Sequence, residues 1–153
     1  MSPETVARIE DIKKKYPTGR AALLPALYEA QKEFGWLSPE ALTAVAGHLN
    51  LPPVVVRSTA TFYSMYKHKE MGRHLIQLCT NVSCMVLGAE SLLELLNGRY
   101  SLTPGGTSPD GRFSLVVMEC IGACDKGPAM LVNEDFHTDM TRENIIKVLE
   151  GYK

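Results

Sequence analysis

The sequence has no excess of charge of either sign, because its 16 lysines and arginines stand against 17 aspartates and glutamates. A chain so balanced has no general attraction to nucleic acid or to an anionic membrane surface. It also has no apolar run close to the roughly 20 residues that a membrane-spanning helix requires. We therefore expect no nucleic-acid partner and no direct membrane contact, so that any link to a membrane passes through partner proteins.

Several motifs are absent as well. The residues after Met1 do not form a basic and then apolar signal sequence, so a reducing cytoplasm is expected and disulfide bonds are not. Neither the P-loop nor the G-x-G-x-x-G pattern occurs, and the glycine-rich loop 102–112 comes before a predicted strand, so nucleotide binding to this chain is not expected. A free-standing thioredoxin-like reductase is excluded because there is no C-x-x-C pair at a helix start.

Only four cysteines are present, and they form two close pairs. Cys79 and Cys84 lie in LCTNVSCM, and Cys120 and Cys124 lie in ECIGACDKGP. If the two loops are neighbours in space, four sulfurs converge, which is the ligand number of a tetrahedral zinc ion or of an iron-sulfur cluster. Gly122 and the glycine after the second pair favour the cluster slightly, because small residues let backbone amides approach sulfur.

A short apolar run rich in branched aliphatic residues precedes each pair, at 74–78 and at 113–118. Both runs are typical of buried strands, so the cysteines are expected where strands end, and cofactors usually bind at the carboxyl ends of parallel strands. Leucine and glutamate spacing predicts a helix at 86–96. The remaining predicted elements are a strand at 128–132, a possible strand at 136–138 and a terminal helix at 141–152 that Thr141 caps. This is a thioredoxin-like order of elements.

The first part of the chain is predicted to be helical. Ser2-Pro3 and Ser38-Pro39 are helix start signals, and an apolar stripe follows each of them. A further apolar stripe lies within the segment 22–34. Pro52-Pro53 is taken to open a fourth short helix, although the valines and threonines that follow prefer strands. We therefore predict an α+β or α/β chain with an N-terminal helical bundle at 1–68, for subunit docking, followed by the cysteine-bearing domain at 69–153.

The aromatic residues of the bundle have two interpretations. Trp36, Phe62, Tyr63 and Tyr66 could form an interaction surface or fill the core between helices. We expect most of them in the core, because a small bundle needs large apolar side chains to close.

Five segments of the chain, taken together and in this order, resemble one family. They are FGWLSPEAL at 34–42, ATFYSMY at 60–66, GRHLIQLC at 72–79, TPGGTSPDGRFSL at 103–115 and ECIGACDKGPAM at 119–130. The family is the thioredoxin-like [2Fe-2S] ferredoxin subunit of bacterial respiratory NADH:quinone oxidoreductase (complex I). The resemblance covers the chain from about residue 22 to residue 152.

The resemblance implies a function and a set of ligands. Cys79, Cys84, Cys120 and Cys124 would bind one [2Fe-2S] cluster, which exchanges single electrons with FMN, and the chain would have no catalytic residue of its own. FMN and NADH would bind in a flavoprotein partner against which the N-terminal helices pack. A further iron-sulfur subunit of the peripheral arm is the other expected partner, with the complex on the cytoplasmic side of the inner membrane.

Two alternatives stay open at this point. The same module serves as a diaphorase subunit in NAD-linked hydrogenases and formate dehydrogenases. In a different functional class, the chain would be a zinc-stapled docking protein without redox activity.

Overall fold

The computed structural model describes all residues from Met1 to Lys153. Contacts within the chain divide it into two compact units, Met1–Glu70 and Met71–Lys153. The first unit contains four helices: α1 (Pro3–Lys15), α2 (Leu23–Phe34), α3 (Pro39–Leu49) and α4 (Pro53–Phe62). The second contains β1 (His74–Cys79), α5 (Val82–Val86), α6 (Ala89–Tyr100), β2 (Phe113–Met118), a 3-10 turn (Cys124–Lys126), β3 (Met130–Val132), β4 (Asp135–His137) and α7 (Arg142–Glu150).

The helix starts in the first unit follow the predicted signals. The Ser2 hydroxyl accepts a hydrogen bond from the Thr5 amide at 3.2 Å, and a proline occupies the first turn, where its missing amide has no partner to lose. Ser38 caps α3 in the same way, through the Ala41 amide. The fourth segment is a helix despite its β-branched residues, as predicted, so its proline start and its tertiary packing outweigh its intrinsic strand preference.

The core of the first unit is aliphatic, and the prediction that most of its aromatic residues are buried is wrong. Only Tyr66 is buried, with its hydroxyl donating to the Leu24 carbonyl oxygen at 2.8 Å, whereas Phe62 is 80% exposed. Val56 and Ala60 form the buried stripe of α4. Phe62 lies two residues further along, about 200° around the helix, and therefore faces away from that stripe.

The second unit is built on a four-stranded mixed sheet in the order β2-β1-β3-β4. β1 and β2 are parallel, with His74 opposite Phe113 and Cys79 opposite Met118, while β3 is antiparallel to β1 and to β4. The two strands that precede the cysteine pairs are thus parallel neighbours, as the sequence indicated, and they end at the same edge. The core of this unit is formed mainly by residues of the sheet and of α6 and α7.

Three elements differ in detail from the prediction. A separate short helix, α5, precedes the predicted helix at 86–96, which begins at Ala89 because Gly88 adopts a φ of 103° and breaks the run. The strand expected at 128–132 is paired only from Met130, and the possible strand at 136–138 is present as β4. None of the helices is both long enough and apolar enough to cross a membrane.

Candidate functional site

All four cysteines lie in or beside the loops that leave β1 and β2. Cys79 is the last residue of β1 and Cys84 lies within α5, whereas Cys120 follows β2 and Cys124 begins the 3-10 turn. Because β1 and β2 are parallel and in register, both loops leave the sheet at one edge. The first pair is buried, each cysteine being 2% exposed, whereas the second pair is exposed to solvent.

The first pair is positioned by α5 and by the segment that follows the second pair. The Asn81 side chain accepts a hydrogen bond from the Val82 amide at 2.6 Å and starts the helix in which Cys84 lies. The Cys79 amide donates to the Ala129 carbonyl oxygen at 3.1 Å. The pKa of the Cys84 thiol is raised, first by burial and then by its hydrogen bond with Cys79, while the Ala129 amide acts in the opposite direction. Cys84 is therefore a protonated thiol at neutral pH in the cluster-free chain.

The second pair lies in a tight turn. The Gly122 amide donates to the Cys120 sulfur at 3.4 Å, and Gly122 has a φ of 83°, which a residue with a side chain adopts only under strain. The pKa of the Cys124 thiol is raised, chiefly by its hydrogen bond with Cys120, while the Ser83 hydroxyl partly counteracts this effect. Since Ser83 belongs to α5, it links the two pairs.

The two pairs also interact with each other. The charge of Cys124 contributes to the raised pKa of Cys84, and the charge of Cys79 contributes to the raised pKa of Cys124. No group of three or more histidine, cysteine, aspartate or glutamate side chains is arranged to hold a single metal ion. A binuclear cluster needs only two protein thiolates for each iron, because bridging sulfides complete the coordination. Two interacting pairs of thiols, with amide and hydroxyl donors aimed at sulfur, therefore fit a [2Fe-2S] cluster.

Two glycines beside the thiols have different roles. Gly122 is required for its positive φ, and a Cβ built there would meet no atom within 4 Å. Gly127 has an ordinary φ of −75°, but a Cβ built there would lie 3.2 Å from the Cys84 sulfur and 3.1 Å from a Leu87 methyl carbon. Gly127 therefore provides space against a thiol, whereas Gly122 provides a turn.

Sequence reasoning missed the contribution of α5. Four apolar residues in and just after this helix are exposed: Val82 (66%), Met85 (44%), Val86 (77%) and Leu87 (54%). The side chain of Asn81 was the available signal, since asparagine is a preferred residue at the start of a helix. The hydrogen bonds that Ser83 and Ala129 direct to the thiols have no signal in the sequence, because they depend on how the loops fold against each other.

The fold and the site together define a class of protein. A mixed four-stranded sheet of thioredoxin-like topology, with two pairs of thiols at one edge, is typical of a ferredoxin that carries a binuclear cluster. The family model of the thioredoxin-like [2Fe-2S] ferredoxins matches residues 9–153. The chain belongs to this family, which confirms the resemblance and the predicted fold class.

The chain is similar to named subunits of one enzyme and to part of a solved hydrogenase structure. The chain is 41% identical over 145 residues to the NADH-quinone oxidoreductase subunit designated E 2 of Rhizobium meliloti (strain 1021), which covers 95% of this chain and 86% of the relative. It is 40% identical to the NADH-quinone oxidoreductase subunit designated E of Escherichia coli (strain K12), with 95% and 87% covered. The crystal structure of an NAD+-reducing [NiFe]-hydrogenase in the air-oxidized state superposes with a TM-score of 0.74 at 26% identity over 85% of this chain. This chain spans only 22% of that hydrogenase chain.

Proposed function

We propose that the chain is the electron-transfer ferredoxin subunit of an NADH:quinone oxidoreductase, and that it holds one [2Fe-2S] cluster. The observation that carries this proposal is the meeting of two thiol pairs at one edge of the sheet, in a chain whose relatives are named as subunits of that enzyme. Cys79 and Cys84 would hold one iron, and Cys120 and Cys124 the other.

The residues of the chain bind and orient the cluster rather than act as acids or bases. When bound, the cluster accepts and returns one electron. The four thiols lose their protons on binding, so uptake of iron is favoured at higher pH. The donors from Gly122, Ser83 and Ala129 then stabilise thiolate charge, and such hydrogen bonds are a main influence on the potential of an iron-sulfur cluster.

The chemistry of the electron donor requires a flavoprotein partner. NADH gives up two electrons as hydride whereas the cluster takes one, so a flavin must divide the pair. We infer that FMN and NADH bind in that partner, that a further iron-sulfur subunit of the peripheral arm completes the assembly, and that the assembly lies on the cytoplasmic side of the membrane. The exposed apolar residues in and just after α5 support a partner contact beside the thiols, because exposed apolar patches are typical of interaction sites.

The cofactor is tested by metal analysis of the chain purified without oxygen. We expect two irons and two sulfides per chain, with a paramagnetic resonance signal that appears only after reduction with dithionite. Zinc in place of iron, with no iron taken up on reconstitution, would refute the electron-transfer function and leave the zinc-stapled docking protein.

The partner contact is tested with two matched variants. Val86→Asp places a charge on the exposed face of α5, and Phe136→Asp places one on an exposed residue of β4. We expect Val86→Asp to weaken binding to the purified flavoprotein subunit at least tenfold and Phe136→Asp to leave it unchanged, with the paramagnetic resonance signal retained in both. Equal binding by both variants would exclude α5 from the contact.

A second candidate is the diaphorase part of a hydrogenase, which the structural similarity to the NAD+-reducing [NiFe]-hydrogenase favours. Isolation of the complex from its native source separates the two functions. Copurification with a nickel-containing subunit supports the hydrogenase, whereas copurification with membrane subunits and quinone reductase activity supports the oxidoreductase. A formate dehydrogenase assembly would be recognised by formate-dependent NAD+ reduction.

A further inference from the structure

The two thiol pairs differ in their surroundings, and this difference assigns them different roles. We propose that the iron held by Cys120 and Cys124 is the one that becomes ferrous when the cluster takes an electron. The assignment rests on the proposed function, because it requires a [2Fe-2S] cluster in the site.

Burial is the first reason. Reduction adds one negative charge to the cluster, and a charge is stabilised where water can solvate it. Cys79 and Cys84 are each only 2% exposed, whereas Cys120 and Cys124 are exposed. The added charge therefore has a lower free energy on the iron of the exposed pair.

Hydrogen bonding is the second and independent reason. In the exposed pair each sulfur has a donor of its own, the Gly122 amide for Cys120 and the Ser83 hydroxyl for Cys124. In the buried pair the Ala129 amide donates a hydrogen bond to the Cys84 sulfur only. The sulfur of Cys79 lies 3.8 Å from the Glu119 carbonyl oxygen, which accepts from a thiol but repels a thiolate.

Nearby side-chain charges act weakly against this assignment. Glu119, Asp125 and Lys126 flank the exposed pair and leave a net charge of about −1 beside it. All three are exposed, so water and salt screen them. Burial and direct hydrogen bonds to sulfur, which are not screened in this way, decide the outcome.

The electron balance is simple. One electron, from dithionite in the test or from reduced flavin in the complex, converts two ferric ions to one ferric and one ferrous ion. No bond between iron and sulfur breaks, and no proton transfer is needed.

The four cysteines can be distinguished experimentally because a different residue follows each of them. Isotopic labelling of the cysteine carbonyl carbon and of the next amide nitrogen assigns each cysteine by NMR through its own dipeptide: Cys-Thr at Thr80, Cys-Met at Met85, Cys-Ile at Ile121 and Cys-Asp at Asp125. In an antiferromagnetically coupled pair, the hyperfine shifts of ligands on ferric iron decrease on warming, and those of ligands on ferrous iron increase.

The measurement uses the full chain with its cluster, reduced by dithionite. We expect shifts that increase on warming at Cys120 and Cys124, and shifts that decrease on warming at Cys79 and Cys84. The opposite assignment, or the same behaviour at all four cysteines, would overturn the proposal. A chain that binds no pair of irons would instead refute the proposed function, and it is recognised beforehand by its iron and sulfide content.

A pair of serine variants tests the role of hydrogen bonding separately. Ser83→Ala removes the donor to Cys124 but leaves the thiols in place, and Ser64→Ala makes the same change at an exposed position in the helical unit. We expect Ser83→Ala to lower the midpoint potential and to change the shifts of Cys124 most, whereas Ser64→Ala alters neither. An unchanged potential in Ser83→Ala would contradict the hydrogen-bond argument.

Discussion

Gly127→Ala tests whether the space beside Cys84 is needed for cluster binding rather than for folding. The backbone of Gly127 has a φ of −75° and a ψ of 164°, which alanine adopts without strain. The added methyl group would lie 3.2 Å from the Cys84 sulfur and 3.1 Å from a Leu87 methyl carbon. The perturbation is therefore a small steric overlap with one thiol and one leucine.

The cost of that overlap depends on whether the sulfur is free to move. An ordinary contact begins near 3.4 Å, so the sulfur must shift by at least about 0.2 Å. Leu87 is 54% exposed and can rotate away, and the thiol of the cluster-free chain can also adjust. A thiolate bound to iron has much less freedom to adjust, because its bond to the metal fixes its distance and direction. We expect overpacking of about 1 to 2 kcal/mol in the cluster-bound chain alone, a factor of roughly 5 to 30 in cluster retention.

The assay compares cluster loss to a chelator with urea denaturation of the cluster-free chain. Gly98→Ala is the control, because a Cβ at Gly98 in α6 meets no atom within 4 Å and alanine should stabilise the helix by about 0.5 to 1 kcal/mol. We expect Gly127→Ala to lose its cluster faster while its cluster-free form is as stable as the unsubstituted chain. Cluster loss at the rate of the unsubstituted chain would show that the space beside Cys84 is not needed for cluster binding. Equal destabilisation of the cluster-bound and the cluster-free chain would show that Gly127 is needed for folding instead.

Two further predictions concern the stability of the chain. A Cβ at Gly19 would overlap the Leu49 carbonyl oxygen, so Gly19→Ala should cost the helical unit about 1 to 3 kcal/mol in urea denaturation, whereas Gly47→Ala, with no atom within 4 Å, should not destabilise it. The pKa values of the Cys84 and Cys124 thiols are raised in the folded, cluster-free chain, whereas a thiol in the unfolded chain has a pKa of about 8.5. The contribution of these two thiols to the free energy of unfolding is therefore complete below about pH 8.5 and is lost as the pH rises through their pKa values in the folded chain. The urea midpoint of the cluster-free chain should therefore fall above about pH 8.5, and a midpoint independent of pH up to about 10 would contradict this.

Local signals account for the elements that the sequence predicted correctly. Ser2, Ser38 and Thr141 each start a helix where a capping residue precedes an apolar stripe. The runs before the two cysteine pairs form strands, as their branched aliphatic residues predict, and most of their residues are buried or half-buried. Helix caps and apolar runs depend only on residues that are close together in the chain, so the sequence alone is enough to predict them.

Features that depend on tertiary packing were not predictable in the same way. Phe62 is a large apolar residue of the kind that usually lies in a core, but its angular position on α4 leaves it exposed. Its exposure depends on which face of α4 packs against the rest of the helical unit, and that is a property of the tertiary structure. The boundary between α5 and α6 depends on the φ of 103° at Gly88, since the leucines on both sides suit one continuous helix. The four cysteines could be proposed as one site from spacing and resemblance, but their unequal burial could not.

The unequal burial of the two pairs follows from the position of β3. β1 lies between β2 and β3, and the Cys79 amide at its end donates to the Ala129 carbonyl oxygen beside β3. The chain that returns to form β3 therefore passes over the first pair and brings Gly127 against Cys84. β2 is an edge strand, with no strand beyond it to cover Cys120 and Cys124. Because strand order fixes this difference, substitutions in the loops should change the potential of the cluster more readily than they change which pair is exposed.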